Sequence, residues 1–148
     1  HVIVDSSVTV IKRYAFYDRH DLVSVIMGDN VKRIEWMAFC CCRALSYIRL
    51  SKALEFIGEY AFRGCESLEA LFLPSTAKYI GDGVFYCNRT LRFIILPHDI
   101  DRGKICGKDI ISGTAMQQIA EASGVAVNYG DESVRRVKEW LIHQMDAA

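Results

Sequence analysis

Apolar side chains return along this chain at a fixed interval. Phe16, Phe39, Phe62 and Phe85 are separated by 23 residues at every step. Each follows a small residue (Ala15, Ala38, Ala61, Val84), and four positions ahead of those stand Ile11, Ile34, Ile57 and Ile80. Six positions past each Phe comes Leu22, Leu45, Leu68 or Leu91, then Val25, Ile48, Leu71 and Ile94, then Met27, Leu50, Leu73 and Leu96. Val8, Val31, Leu54, Ala77 and Ile100 form a further column, and Val2 and Val4 fit a partial turn ahead of the first complete one. A period of this length, kept without insertion, predicts a coil with one repeat per turn. The alternating stretch Leu-x-x-(Val/Ile/Leu)-x-(Met/Leu) reads as a strand. Strands of successive turns then stack about 4.8 Å apart as a parallel sheet. No single turn buries its apolar side alone, so stability comes from its neighbours.

The unit Ile57-Gly58, Ala61-Phe62, Cys65, Leu68, Leu71 and Leu73-Pro74 resembles the BspA-type leucine-rich repeat family, and the resemblance runs over about residues 2–100. It implies an α/β repeat fold, a right-handed leucine-rich-repeat solenoid with stacked parallel β-strands and a helical C-terminal cap. Residues Ile105–Val127 are similar to the terminating segment of many such arrays. Members of the family are known as adhesion and interaction proteins on bacterial and protist surfaces, and as abundant proteins of protists and algae. The repeat is specific for the fold and carries little about function.

The ladder is expected to stop after Ile100, because Gly103 stands where the next Ile would fall. A solenoid has to cover its last apolar rung, so an atypical segment should follow. Thr114 is placed to cap a short helix carrying Met116, Ile119, Ala120 and Ala122, with Gly124 just past its end. Val125 and Val127 suggest a last strand, and Asp131 or Ser133 a cap for a second helix with Val134, Val137, Trp140, Leu141 and Met145 on one face. The expected organisation is a solenoid over residues 1–112, a partial turn followed by four full repeats, and a cap over 113–148. The second helix is read as docked; the alternative is a projecting helix anchored in a partner groove by Trp140.

Side chains alternate across a strand, so the residues between core positions point outward. The last such residue in each repeat is Ile26, Arg49, Phe72 and Ile95, and the one before it is Ser24, Tyr47, Ala70 and Phe93. A solvated strand face would be mostly polar. This one offers Ile26, Tyr47, Phe72, Phe93 and Ile95 beside Arg49, Lys52 and His98, and aromatic residues with arginine are the usual composition of an interface hot spot. Trp36 is a further apolar residue in a column otherwise held by Glu59 and Asp82. Ile26, Tyr47, Arg49, Phe72, Phe93, Ile95 and Trp36 are therefore the candidate protein-binding residues. β-propensity alone, or covering by another part of the chain, is the competing explanation.

Composition narrows the classes. Eighteen basic residues offset eighteen acidic ones among 148, against the basic excess of a general nucleic-acid binder. No apolar run approaches the roughly 18 residues of a membrane span. The first residue is His1 rather than methionine, so the native beginning is expected to be missing and a leader peptide ahead of it stays open. An intracellular or organellar address is the working expectation, with the cell surface as the alternative.

Candidate chemistry is sparse. The six cysteines (Cys40, Cys41, Cys42, Cys65, Cys87, Cys106) form no CxxC pair, and reduced, partly buried thiols are expected. Cys42 and Cys65 share a column within disulfide reach but are read as small apolar residues. A metal would need four converging ligands that the spacing does not assemble. Asn88-Arg89-Thr90 matches a glycosylation sequon, yet Asn88 occupies the Cys42/Cys65 column and is expected to point inward and satisfy backbone groups. His1, His20, His98 and His143 are expected to be solvated. With no phosphate loop and no Ser/His/Asp or Cys/His signature, no catalytic residue, cofactor or metal is expected. The expected role is a non-catalytic interaction module, a subunit or scaffold of a multi-subunit complex whose partners are other proteins. The alternative is a surface adhesion or ligand-recognition module.

Overall fold

The computed structural model describes residues 1–95 and 110–122. Among the described residues, each of the first four turns contributes two short strands and the next contributes one, and the two sets form separate parallel ribbons. The first ribbon contains β1 (Val2–Ile3), β3 (Ser24–Ile26) and β5 (Tyr47–Arg49), then β7 (Ala70–Phe72) and β9 (Phe93–Ile95). Its ladder is interrupted between β5 and β7. The second ribbon, β2 (Val10–Ile11), β4 (Arg33–Ile34), β6 (Phe56–Ile57) and β8 (Tyr79–Ile80), runs unbroken through four turns. The register steps by one repeat at every pairing: Val25 opposes Ile48, Ile34 opposes Ile57, and Leu71 opposes Ile94. The architecture is the parallel-strand solenoid that the 23-residue period implies. The Ile column (Ile11, Ile34, Ile57, Ile80) forms strands as well.

Between the ribbons lies the core. Phe39, Phe62 and Phe85 are buried, and Phe16 packs half-buried at the N-terminal end. The rings stack in order, with centroids 5.0 Å apart for Phe16–Phe39, 5.2 Å for Phe39–Phe62 and 6.2 Å for Phe62–Phe85. This geometry follows from the rung spacing, which puts identical side chains directly above one another.

Two backbone positions in each turn adopt left-handed φ: Tyr14, Met37, Tyr60 and Gly83, and four residues later Asp18, Cys41, Gly64 and Cys87. These bends carry the chain around the Phe in a tight loop that closes with turn hydrogen bonds such as Cys42 N–H to Phe39 O, 3.3 Å. The glycine after Ile57 is needed for close approach, since a Cβ on Gly58 would lie 2.7 Å from the backbone nitrogen of Trp36 in the turn before.

A further rung lies beyond the fourth repeat. In successive turns Asp18, Cys41 and Gly64 donate their N–H to Cys40, Arg63 and Tyr86, each 22 residues on, whereas Cys87 donates to Ser112, 25 residues on. Ile110 and Ile111 thus stand in the Ala-Phe positions, Gly113 (φ 73°) in the left-handed position above Cys87, and Thr114 in the Cys42/Cys65/Asn88 column. This turn is three residues longer than the others, so counting by 23 falls short of it.

Helix α1 (Ala115–Ala122) starts there, where Thr114 was expected to cap it. The Thr114 hydroxyl accepts the Gln117 N–H at 3.2 Å, and the Gln117 side chain reaches back to accept the Gly113 N–H at 2.7 Å, a reciprocal cap. Met116 and Ala120 face the core. The last strand at Val125–Val127, the second helix with Trp140, the Leu96, Ile100 and Gly103 positions, His98 and Cys106 lie outside the described residues. Among the described residues no helix is long and apolar enough to cross a membrane.

Candidate interaction surface

The outward side chains of the first ribbon line up in two columns. Ile3, Ile26 and Arg49 are consecutive in one, and Phe72 pairs with Ile95 on its continuation past the ladder break. Ser24 with Tyr47, and Ala70 with Phe93, form the other. Alternation forces this placement: Val25, Ile48, Leu71 and Ile94 between them are buried, so their neighbours must face out. Ile3 is 80% exposed, Phe72 63%, Phe93 61%, Tyr47 54% and Ile26 37%. Ile95 holds its place in the backbone register; its side chain lies outside the described set. Soluble proteins seldom leave large apolar side chains contiguous on one face.

Arg49 is tied down rather than free. Its Nη2 donates to Asp29 Oδ1 at 3.2 Å, and the same carboxylate accepts the Lys52 backbone N–H at 3.3 Å. The Lys52 N–H first and Arg49 second hold Asp29 below the ordinary carboxylate pKa. The pair is exposed and worth little in stability. Its effect is on the surface: one charge cancels the other, leaving the apolar columns as the dominant chemistry of the ribbon.

Trp36 belongs to a different surface. It follows β4 on the second ribbon, 39% exposed, with its ring edge-on to Tyr14 at 5.0 Å, and Tyr14 in turn meets Tyr17 at 5.4 Å. Elsewhere on that ribbon the outward side chains satisfy each other. Arg33 sits 4.1 Å over the Phe56 ring, and Phe56 stacks on Tyr79 at 4.7 Å. Among the described residues, none of Tyr47, Phe72 and Phe93 stacks on another ring. The structure brings Ile26, Tyr47, Arg49, Phe72 and Phe93 together on one ribbon and sets Trp36 apart. Ile3 extends the same face one turn further, and the alternation of Val2-Ile3-Val4 was the signal for it.

The cysteine run divides by direction. Cys42 Sγ donates to Phe16 O at 3.0 Å and Cys65 Sγ to Phe39 O at 3.2 Å, so the column thiols point at carbonyls of the preceding turn rather than at each other. Burial pushes Cys42 up to about 11 and raises Cys65 as well. Asn88 continues this column fully buried, but neither amide atom finds a hydrogen-bond partner. The expectation that it satisfies backbone groups is corrected. Its inward placement stands, and Thr90 of the same tripeptide donates to the carbonyls of Glu66 and Leu68. His1 meets the Ser24 hydroxyl and His20 the Asp18 carboxylate, both on the exposed surface. Among the described residues no group of three or more His, Cys, Asp or Glu is arranged to hold a metal ion.

Comparison with known proteins agrees with this geometry. A family model described as the BspA type leucine rich repeat region matches residues 1–105 in six copies. Among solved structures, a T. pallidum leucine-rich repeat protein is similar at 28% identity and TM-score 0.69, covering 75% of this chain and 53% of its own. A leucine-rich cell surface protein of Faecalibacterium prausnitzii is similar at 29% identity and TM-score 0.67, covering 78% and 31%. A leucine-rich repeat protein of Bacteroides ovatus is similar at 25% identity and TM-score 0.57, covering 76% and 34%. The chain thus spans about half or less of the length of these three. No curated protein matches it.

Proposed function

From the premise that the chain belongs to the BspA-type leucine-rich repeat family, we infer that it is a non-catalytic protein-interaction module, a subunit or scaffold that binds another polypeptide through the outer face of its first ribbon. The observation that carries this reading is the run of exposed apolar residues Ile3, Ile26, Tyr47, Phe72 and Phe93 along that ribbon. Removing such side chains from water is the main favourable term in association, and rigid aromatic rings on a fixed sheet lose little freedom when they dock. Zero formal charge suits a partner recognised by shape and apolar contact. Gly113 and Thr114 complete the last rung, and we assign the C-terminal cap to the segment that begins with α1.

Adhesion at a cell surface is the second reading, favoured by the printed description of the Faecalibacterium prausnitzii relative as a cell surface protein. The two share the binding face and differ in address. The test is Phe72→Ser with Phe93→Ser. Circular dichroism should stay native because both side chains are mostly exposed, while partner recovery in affinity purification from the native source drops to background. Undiminished recovery from the folded variant contradicts the reading. Labelling of intact cells with an impermeant reagent separates surface from interior.

A further inference from the structure

A second chemistry, independent of the ribbon face, lies in the turn after Phe39. Cys40 and Cys41 stand side by side with their sulfurs 3.5 Å apart. Cys41 sits at left-handed φ (63°), which turns it away from the core column, and it is partly exposed while Cys40 is buried. Gly64 lies next to Cys41 in the following turn. A Cβ there would lie 3.6 Å from the Cys41 sulfur, in ordinary van der Waals contact, so a longer side chain at that position would crowd it. The nearby thiols of Cys42 and Cys65 are committed to Phe16 and Phe39 carbonyls. Among the described residues no third His, Cys, Asp or Glu joins the pair to make a metal cluster.

We propose that Cys40 and Cys41 form a vicinal dithiol site that chelates one thiophilic centre with two exchangeable valences, of the trivalent organoarsenical class. Two adjacent sulfurs with no third ligand match two open valences, not the four of a structural zinc site. In the binding step two S–H bonds and the As=O bond break, two As–S bonds form, and both thiol protons leave with the oxygen as one water. Arsenic and sulfur keep their oxidation states. No free proton is released, so the proton affinity of buried Cys40, pushed up to about 12 mainly by burial, does not oppose the exchange. It would oppose a metal cation, which must displace protons from its thiol ligands.

Phenylarsine oxide is the probe. Intact mass of the reduced protein should show one tight phenylarsenic adduct per chain that survives excess monothiol and is removed by a 1,2-dithiol. In urea, without dithiol, Cys40 and Cys41 should both remain protected from iodoacetamide. Cys41→Ser and Cys40→Ser should each lose the adduct with native circular dichroism, while Cys42→Ser, Cys87→Ser and Cys106→Ser keep it. The proposal is overturned by a parent that takes no adduct, by displacement with monothiol, by alkylation of either residue in the adduct, or by an adduct that persists in Cys41→Ser. The protection experiment uses the parent chain and needs no variant to fold.

Discussion

The thiol of Cys65 donates its hydrogen to the carbonyl oxygen of Phe39, 26 residues earlier in sequence and one turn back in space, at 3.2 Å. The residue is buried. Cys65→Ala removes one of two donors to the Phe39 carbonyl, which keeps the Cys42 N–H, so it should lower stability by about 0.5–1.5 kcal/mol. Cys65→Ser keeps a donor in place and should lose less than Cys65→Ala. Equilibrium denaturant unfolding of the two variants makes the comparison. Equal losses would mean that the thiol acts through its volume alone.

The Phe stack should show a gradient from its middle to its end. Phe62 is fully buried between Phe39 and Phe85, while Phe16 closes the stack half-buried. Phe62→Ala should cost roughly 3–5 kcal/mol, and Phe16→Ala clearly less, because its removal opens a surface notch rather than a cavity. Both are read from denaturant midpoints. A variant at Phe62 that unfolds with the parent would contradict the core assignment.

Alkaline pH should destabilise the fold through its buried thiols. Burial pushes Cys42 up to about 11 and Cys40 up to about 12, against about 8.5 for a free thiol. The native state holds these protons more tightly than the unfolded chain. Their contribution is therefore fully present below about pH 8.5 and is lost as pH rises toward about 11–12. Cys42→Ser, which keeps a donor for Phe16 but does not titrate in this range, should lose stability less steeply above about pH 9 than the parent. Parallel curves would show that Cys42 does not contribute.

Asn88 is a place where the repeat is improvable. Its amide lies in the column where Cys42 and Cys65 each reach a carbonyl, and both amide atoms are unpaired. Asn88→Cys substitutes the side chain that the column already accommodates and aims it at the Phe62 carbonyl. Relief of the buried unpaired amide should raise stability by about 1–3 kcal/mol, seen as a higher melting temperature. A lower one would mean that the amide is satisfied in solution.

Much of this was legible because the repeat is strict. A column such as Ile34, Ile57 and Ile80 specifies its own burial, and alternation around Ile48 and Leu71 specifies that Tyr47, Arg49 and Phe72 face out. What the period does not carry is side-chain direction beyond inside and outside. The tie between Arg49 and Asp29, the ring contact of Trp36 with Tyr14, and the unpaired amide of Asn88 depend on torsions and on neighbours in adjacent turns. The rung at Ile110–Ile111 escaped because three extra residues precede it and isoleucine replaces phenylalanine. The match of Ser112-Gly113-Thr114 to Arg63-Gly64-Cys65 was the available signal.

The most direct test of the interaction surface is contact itself. A photo-crosslinking amino acid placed at position 72, on the exposed apolar column, is compared with one at Arg89, an exposed residue in the turn after Phe85 and off the ribbon. Irradiation in the native source should join position 72 to peptides of another protein and leave position 89 without that product. Crosslinks from position 72 that map only to this chain's own residues, or equal products from both positions, would contradict the assignment.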